Sequence, residues 1–175
     1  KNLNTRQTLG AYFSNVGMVY YQNQKPERAV FYLGLSTAIN PQSIDAQNNL
    51  ANIYSELKKP QEAIKHYKLA LKADPANTST LFNLGLVLLG SGQATQAFNT
   101  FLQITQMDPG FKPAHKMLIN MYMLNNRLIP VLLHLKILAR IEPMNLQNHL
   151  NVAVAYRKLG QHKLAIETLK NVQSQ

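Results

Sequence analysis

Four prolines, Pro41, Pro75, Pro109 and Pro143, follow one another at intervals of 34 residues, each behind a polar or acidic residue: Asn40, Asp74, Asp108 and Glu142. The residue before a proline avoids the helical region, so each pair marks a helix end. A period of this length means one supersecondary unit used repeatedly, with neighbours stacked to bury what one unit leaves open. Units starting at Gly10, Ile44, Thr78, Lys112 and Leu146 bring the remaining residues into register. Small residues recur at Gly17, Ala51, Gly85 and Ala153, and again at Ala29, Ala63, Ala97 and Ala165. Large ones recur at Tyr20, Tyr54, Tyr122 and Tyr156, and at Leu33, Tyr67, Phe101, Leu135 and Leu169.

Within a unit the apolar spacing is helical, as in Leu50, Tyr54 and Leu57, then Ala63, Ile64, Tyr67, Ala70 and Leu71. Each unit therefore reads as two amphipathic helices. The turns between them are Asn23-Gln24-Lys25-Pro26, Leu57-Lys58-Lys59-Pro60, Gly90-Ser91-Gly92 and Leu159-Gly160-Gln161, with Pro26 and Pro60 suited to the first turn of the next helix.

Small, aromatic, small, bulky and proline residues at these spacings resemble the tetratricopeptide repeat (TPR), over residues 10–175. The resemblance implies an all-α chain, a right-handed α-solenoid of about five TPR helical hairpins, whose first helices line a concave groove for a peptide or another domain. Residues 1–9 are expected to be an N-terminal extension or the end of a preceding helix. The TPR domain then divides into units 10–43, 44–77, 78–111, 112–145 and 146–175. The fourth unit departs from the pattern, with Ile119 and Val131 at the usual small positions and Pro130 two places later than Pro26 and Pro60 in their units. Its second helix is expected to start late, changing the local superhelical pitch. No capping helix follows the fifth unit, which predicts exposure of Ile166, Leu169 and Val172; terminal repeats need a polar cap, further chain or a partner there.

Composition narrows the function classes. With 46% hydrophobic and 15% charged residues, the chain can bury a core and is not disordered as a whole. The absence of cysteine removes disulfide frameworks, thiolate nucleophiles and cysteine metal sites. The longest apolar stretches, Leu84 to Leu89 and Leu128 to Leu133, fall far short of the roughly 20 residues a bilayer crossing needs. The chain begins at Lys1 without a charged-then-apolar leader and reads as part of a longer or processed protein. The reading leans to the cytoplasm, with a periplasmic or membrane-attached place in a longer chain left open.

Eighteen Lys and Arg against eight Asp and Glu give a formal charge of +10, which favours an acidic partner, nucleic acid or an anionic surface. Much of that charge sits on Lys65, Lys68 and Lys72, one stripe of a second helix, with Lys58 and Lys59 in the preceding turn. A solvated convex face explains this stripe. No aromatic platform is interleaved with it, so nucleic acid is not favoured, and contact with a membrane surface stays open.

Binding is expected on the face of each first helix that the core does not use. In the second unit this face reads Asp45, Asn48, Asn49, Asn52 and Glu56. The sixth residues of the units are Asn15, Asn49, Asn83, Met117 and Asn151, a column of four asparagines in five places. A carboxamide both donates and accepts, so such a column can pair with an extended peptide backbone, at about 1 kcal/mol net per bond. A similar asparagine ladder marks the TPR superhelix of O-linked N-acetylglucosamine transferases, and only the ladder is carried over. The alternative is that these asparagines are solvated or cap helices.

In the third and fourth units the same face turns apolar, with Phe82, Leu86, Leu89, Met117 and Met123 around Asn83 and Asn120. Phe82 and Met117 are preferred as contacts; Leu86 and Leu89 serve equally well as packing residues. Ala11 and Ser79 stand where a chaperone-type carboxylate clamp would place lysines, which argues against that receptor class, while Lys116, Arg157 and Lys158 give the later groove a basic end. The expected partner-binding residues are Asn15, Asn49, Asn52, Phe82 and Asn83 in the first three units, and Lys116, Met117, Asn120, Asn151 and Arg157 in the last two.

Catalysis finds little support. His115 and His149 hold the fourth place of their units, an inter-helix packing position, and His66, His134 and His162 are scattered on second helices. No His-Glu-x-x-His pair, phosphate loop or nucleophile elbow is present. No catalytic residue, cofactor or metal is expected. The chain reads as a non-catalytic protein-protein interaction scaffold holding a peptide or partner protein. Its alternatives are the substrate-recruiting arm of a larger enzyme such as a glycosyltransferase, and a self-assembly module, a homo-oligomer formed through the last unit.

Overall fold

The computed structural model describes residues 5–173, with side chains described as far as Lys170. Among the described residues all regular structure is helical. The first helices of the units are α1 (Thr5–Gln22), α3 (Ile44–Glu56), α5 (Thr78–Gly90), α7 (Lys112–Leu124) and α9 (Leu146–Lys158). The second helices are α2 (Pro26–Ile39), α4 (Pro60–Ala73), α6 (Ala94–Met107), α8 (Leu128–Ile141) and α10 (His162–Gln173). The fold class is the expected one, helical hairpins in tandem. Residues 5–9 belong to α1.

One expectation is corrected. α8 begins at Leu128, 34 residues after α6 begins and 34 before α10 begins, so it does not start late. Pro130 is its third residue, in the first turn, where backbone N–H groups have no intrahelical acceptor and proline removes nothing.

Every hairpin turns in the same way. The turn residue is left-handed in all five: Gln24 (φ 56°), Lys58 (φ 58°), Gly92 (φ 81°), Asn126 (φ 53°) and Gly160 (φ 74°). Behind each, the next N–H reaches back to a carbonyl in the last turn of the first helix, as in Lys25 to Tyr20, Lys59 to Tyr54 and Gln161 to Tyr156. This is the Schellman closure, which satisfies orphan carbonyls at a helix C-terminus.

Packing divides the chain between Thr100 and Phe101 into two compact units. In unit 1, α1 packs on α2, α2 on α3, α3 on α4 and α4 on α5, and the first helices also touch one another, α1 with α3 and α3 with α5. Its core centres on Ala29, Leu33, Leu50 and Ile53, with Tyr20 and Tyr54 packed around them. Gly17 is required by this packing: a Cβ there would stand 2.8 Å from Leu33 Cγ. In unit 2, α7 packs on α8, α8 on α9 and α9 on α10. Ile119 and Val131, the large residues at small positions, are buried in one cluster with Leu135, Leu138, Val152 and Ala155.

A polar relay ties first helices to the proline loops before them. Gln47 Nε2 donates to the Pro41 carbonyl (3.0 Å), His115 Nε2 to Pro109 (3.0 Å) and His149 Nε2 to Pro143 (2.8 Å). The fourth place of these three units therefore anchors the incoming chain, a structural use for His115 and His149.

On the last hairpin Ile166 is 55% and Leu169 38% exposed, whereas the counterparts of Leu169, namely Leu33, Tyr67, Phe101 and Leu135, are all buried. Val172 lies outside the described side chains.

Candidate functional site

The face shared by α1, α3 and α5 in unit 1 holds a cavity of about 290 Å³. α3 contributes Asn49, Asn52 and Glu56, α1 contributes Tyr21, and α5 contributes Asn83 and Leu86. Three of the expected contacts, Asn49, Asn52 and Asn83, thus meet in one hollow. Asn49 and Asn83 are half-buried, and neither carboxamide hydrogen-bonds to another described residue. Both keep a donor and an acceptor for a guest.

Asn52 is already half committed. Its Oδ1 accepts the hydroxyl of Tyr67, a residue of α4 that is only 2% exposed, which leaves the Asn52 amide hydrogens for the cavity. Burial first, and the nearby Glu56 charge second, push the Tyr67 phenol up to about 12. The hydroxyl therefore stays a donor throughout the neutral range. Opposite it, Tyr21 Oη donates to Glu56 Oε2 (2.5 Å), and that bond holds the Tyr21 phenol above its ordinary value. A second cavity, of about 580 Å³, adjoins along the same Tyr21, Ile53 and Glu56 and opens toward Gln22 and Gln24.

Other expected contacts lie elsewhere. Asn15 is exposed on α1 and Phe82 half-buried on α5, and neither lines the 290 Å³ cavity. Leu86, at 40% exposure, does line it, together with Met18, Ile53 and Val87. Asn48 is used for structure: its Nδ2 donates to Thr80 Oγ1 (2.8 Å), tying α3 to α5. In unit 2, Lys116 and Asn120 are exposed and Met117 half-buried on α7. Asn151 accepts from Gln147 within α9 (2.9 Å), and Arg157 edges an apolar hollow of about 270 Å³ with Leu150, Val154, Ile166 and Leu169.

Tyr21 and Tyr67 were missed from the sequence. Tyr21 sits three residues beyond Met18 on α1 and reads there as one more apolar position; Tyr67 belongs to the column of bulky core residues, and its hydroxyl reaches Asn52 across 15 residues of chain. Lys65, Lys68 and Lys72 are exposed along α4. Among the described residues no group of three or more His, Cys, Asp or Glu is placed to hold a metal ion, and no described helix is long and apolar enough to cross a membrane.

Comparison with known proteins places this geometry in context. Models of the tetratricopeptide repeat match residues 44–77 and 146–174. The tetratricopeptide repeat and J domain-containing co-chaperone DNJ1 of Fusarium oxysporum f. sp. lycopersici is 28% identical over 93 residues, 50% of this chain. The matched stretch spans only 18% of that co-chaperone. Among solved structures, a MamA protein is similar with a TM-score of 0.74 at 14% identity, over 95% of this chain and 91% of that one. YrrB, described as a TPR protein with an unusual peptide-binding site, gives 0.67 at 18% identity over 91% and 82% of the two chains. PilF of Pseudomonas aeruginosa gives 0.68 at 20% identity over 97% and 78%. At such identities these structures speak for the fold alone. Two of the five units therefore match the tetratricopeptide repeat, and the 34-residue register of helices and turns runs through all five.

Proposed function

We propose that the chain is a non-catalytic scaffold that holds an extended peptide segment of a partner protein on the first-helix face of unit 1. The observation that carries this reading is the meeting of Asn49, Asn52 and Asn83 in one cavity, with the first and third carrying unengaged carboxamides. Amide side chains in a row suit a main chain, because they supply both halves of a peptide's hydrogen-bonding need whatever its sequence. Leu86 adds apolar area beside them, which supplies affinity that exposed hydrogen bonds lack. That a similar fold, YrrB, is described as having a peptide-binding site supports the class of ligand. On unit 2, we likewise assign Lys116, Met117, Asn120, Asn151 and Arg157 to contact with a partner.

The test is binding of a degenerate fluorescein-labelled nonapeptide library, comparing wild type with Asn49→Ala/Asn83→Ala. The reading expects retention of library members by wild type and a roughly tenfold loss in the double variant with helicity unchanged. Equal retention by both proteins contradicts it.

A second reading has its own observation. The apolar hollow on the last hairpin, with Ile166 and Leu169 exposed, suits a helix from another molecule, including a second copy. Light-scattering mass that rises with concentration, and falls back in Ile166→Lys, supports self-assembly; a constant monomer mass removes it.

A further inference from the structure

Glu56 stands apart from the other residues that line the 290 and 580 Å³ cavities of unit 1. Among the described residues, the 290 Å³ cavity is bounded by amides, hydroxyls and apolar side chains, and Glu56 is the only charged one on its wall. The adjoining 580 Å³ cavity repeats the situation, with Gln22, Gln24, Pro26 and Leu57 beside the same glutamate. A chain with a formal charge of +10 thus places a carboxylate at the junction of these two hollows. Tyr21 Oη holds Oε2 and fixes the direction of the group, while Oε1 takes no hydrogen bond from a described residue.

We infer that Glu56 seats the cationic side chain, arginine or lysine, of the bound peptide, and so fixes the register of a segment whose backbone the asparagines hold. The surroundings fit that guest. Met18, Leu86 and Val87 offer apolar wall to the methylene stem, the part that long basic side chains bury while their charged ends stay at water. Tyr21 belongs to the same wall, and aromatic rings attract guanidinium groups. Oε1 supplies the charged acceptor, and a charge-assisted hydrogen bond is stronger than a neutral one. A carboxylate guest would meet repulsion at the same place.

This inference rests on the peptide-binding reading, and the test separates the two. Acetylated, fluorescein-labelled nonapeptide libraries carry Arg, Gln or Glu fixed at the centre, with all other positions degenerate, and anisotropy is measured on the 175-residue chain. Wild type is expected to bind the Arg library about three- to tenfold more tightly than the Gln library, the range of a partly exposed charged contact, and more tightly still than the Glu library. Glu56→Gln keeps an acceptor for Tyr21 and should erase the preference while binding the Gln library as before. Tyr21→Phe releases Oε2 and should keep the preference. Lys58→Gln, in the neighbouring hollow that shares Ser55 and Leu86, should not alter it.

Equal binding of the Arg and Gln libraries by wild type, or a preference that survives Glu56→Gln or vanishes with Lys58→Gln, overturns the inference. In those cases binding that still depends on Asn49 and Asn83 leaves the broader reading standing. A preference for a free amino terminus over internal arginine, read from a parallel unacetylated library, also overturns it by giving the carboxylate to a chain end. Failure of every library to bind removes both.

Discussion

His115 and His134 face one another nitrogen to nitrogen, Nδ1 to Nδ1 at 2.9 Å, inside the α7–α8 hairpin. The Pro109 carbonyl can only accept, so His115 Nε2 carries the proton there and its Nδ1 receives the Nδ1–H of His134. Two repeats earlier the same relay uses a glutamine: Gln47 donates to Pro41 and takes the Nδ1–H of His66 at 2.8 Å. Both pairs are separated by 19 residues. The hairpin accepts either pairing because each supplies one donor to the loop and one acceptor to the second helix.

The pair makes stability depend on pH. His134 is 7% exposed, and burial first and His115 second push its pKa down to about 4. The unfolded chain takes up this proton near pH 6.5 and the folded one only near 4, so stability is full above about 6.5 and falls as pH drops between them. The loss reaches at most about 3 kcal/mol by pH 4, at 1.36 kcal/mol per unit. His66, lowered mainly by burial, adds in the same direction. Urea unfolding at pH 7.5 and 5.0 should show the loss, and His134→Gln should flatten it.

Two glycines should respond with opposite signs to alanine. At Gly17 a Cβ meets Leu33 Cγ at 2.8 Å and the Ala29 carbonyl at 3.2 Å, so Gly17→Ala should cost about 1–3 kcal/mol through overpacking. Gly34 lies inside α2 with nothing within 4 Å, so Gly34→Ala should stabilise by about 0.5–1 kcal/mol. Thermal unfolding of the two variants beside wild type checks both.

Tyr67→Phe keeps the ring in the core and removes only the hydroxyl that holds Asn52. The expected cost is about 1 kcal/mol, measured by denaturant midpoint. The freed Asn52 carboxamide should lose its fixed orientation, seen as averaging of its side-chain amide resonances.

Lys58 turns the second hairpin with a positive φ of 58°, where Gly92 and Gly160 do the same duty in other units. Lys58→Gly should raise stability by a few tenths to about 1 kcal/mol, because glycine enters the left-handed region without the Cβ penalty.

Much of this molecule was legible because prolines, small residues and turn residues act locally and recur. Pro41, Pro75 and Pro109 end helices whatever surrounds them, and α3, α5 and α7 begin three residues later in each case. Pro130 misled because its effect depends on where in a helix it falls. The hollow containing Asn49 and Asn83 was partly legible, since residues on one helix face in successive units come together when units stack. What the repeat could not convey was set by contacts across the fold. Asn52 spends its oxygen on Tyr67, Asn48 ties α3 to Thr80, and Leu86 rather than Phe82 reaches the cavity. Those choices depend on rotamers and neighbours, which a period of 34 residues does not encode.

The most direct measurement is a nitrogen-resolved NMR titration of the side-chain amides with the tightest peptide from the library. The resonances of Asn49, Asn52 and Asn83 are predicted to shift together and saturate, while backbone signals at Lys65, Lys68 and Lys72 stay in place. Shifts confined to the α4 lysine stripe or to α10, with the three asparagines unmoved, would contradict binding on the first-helix face.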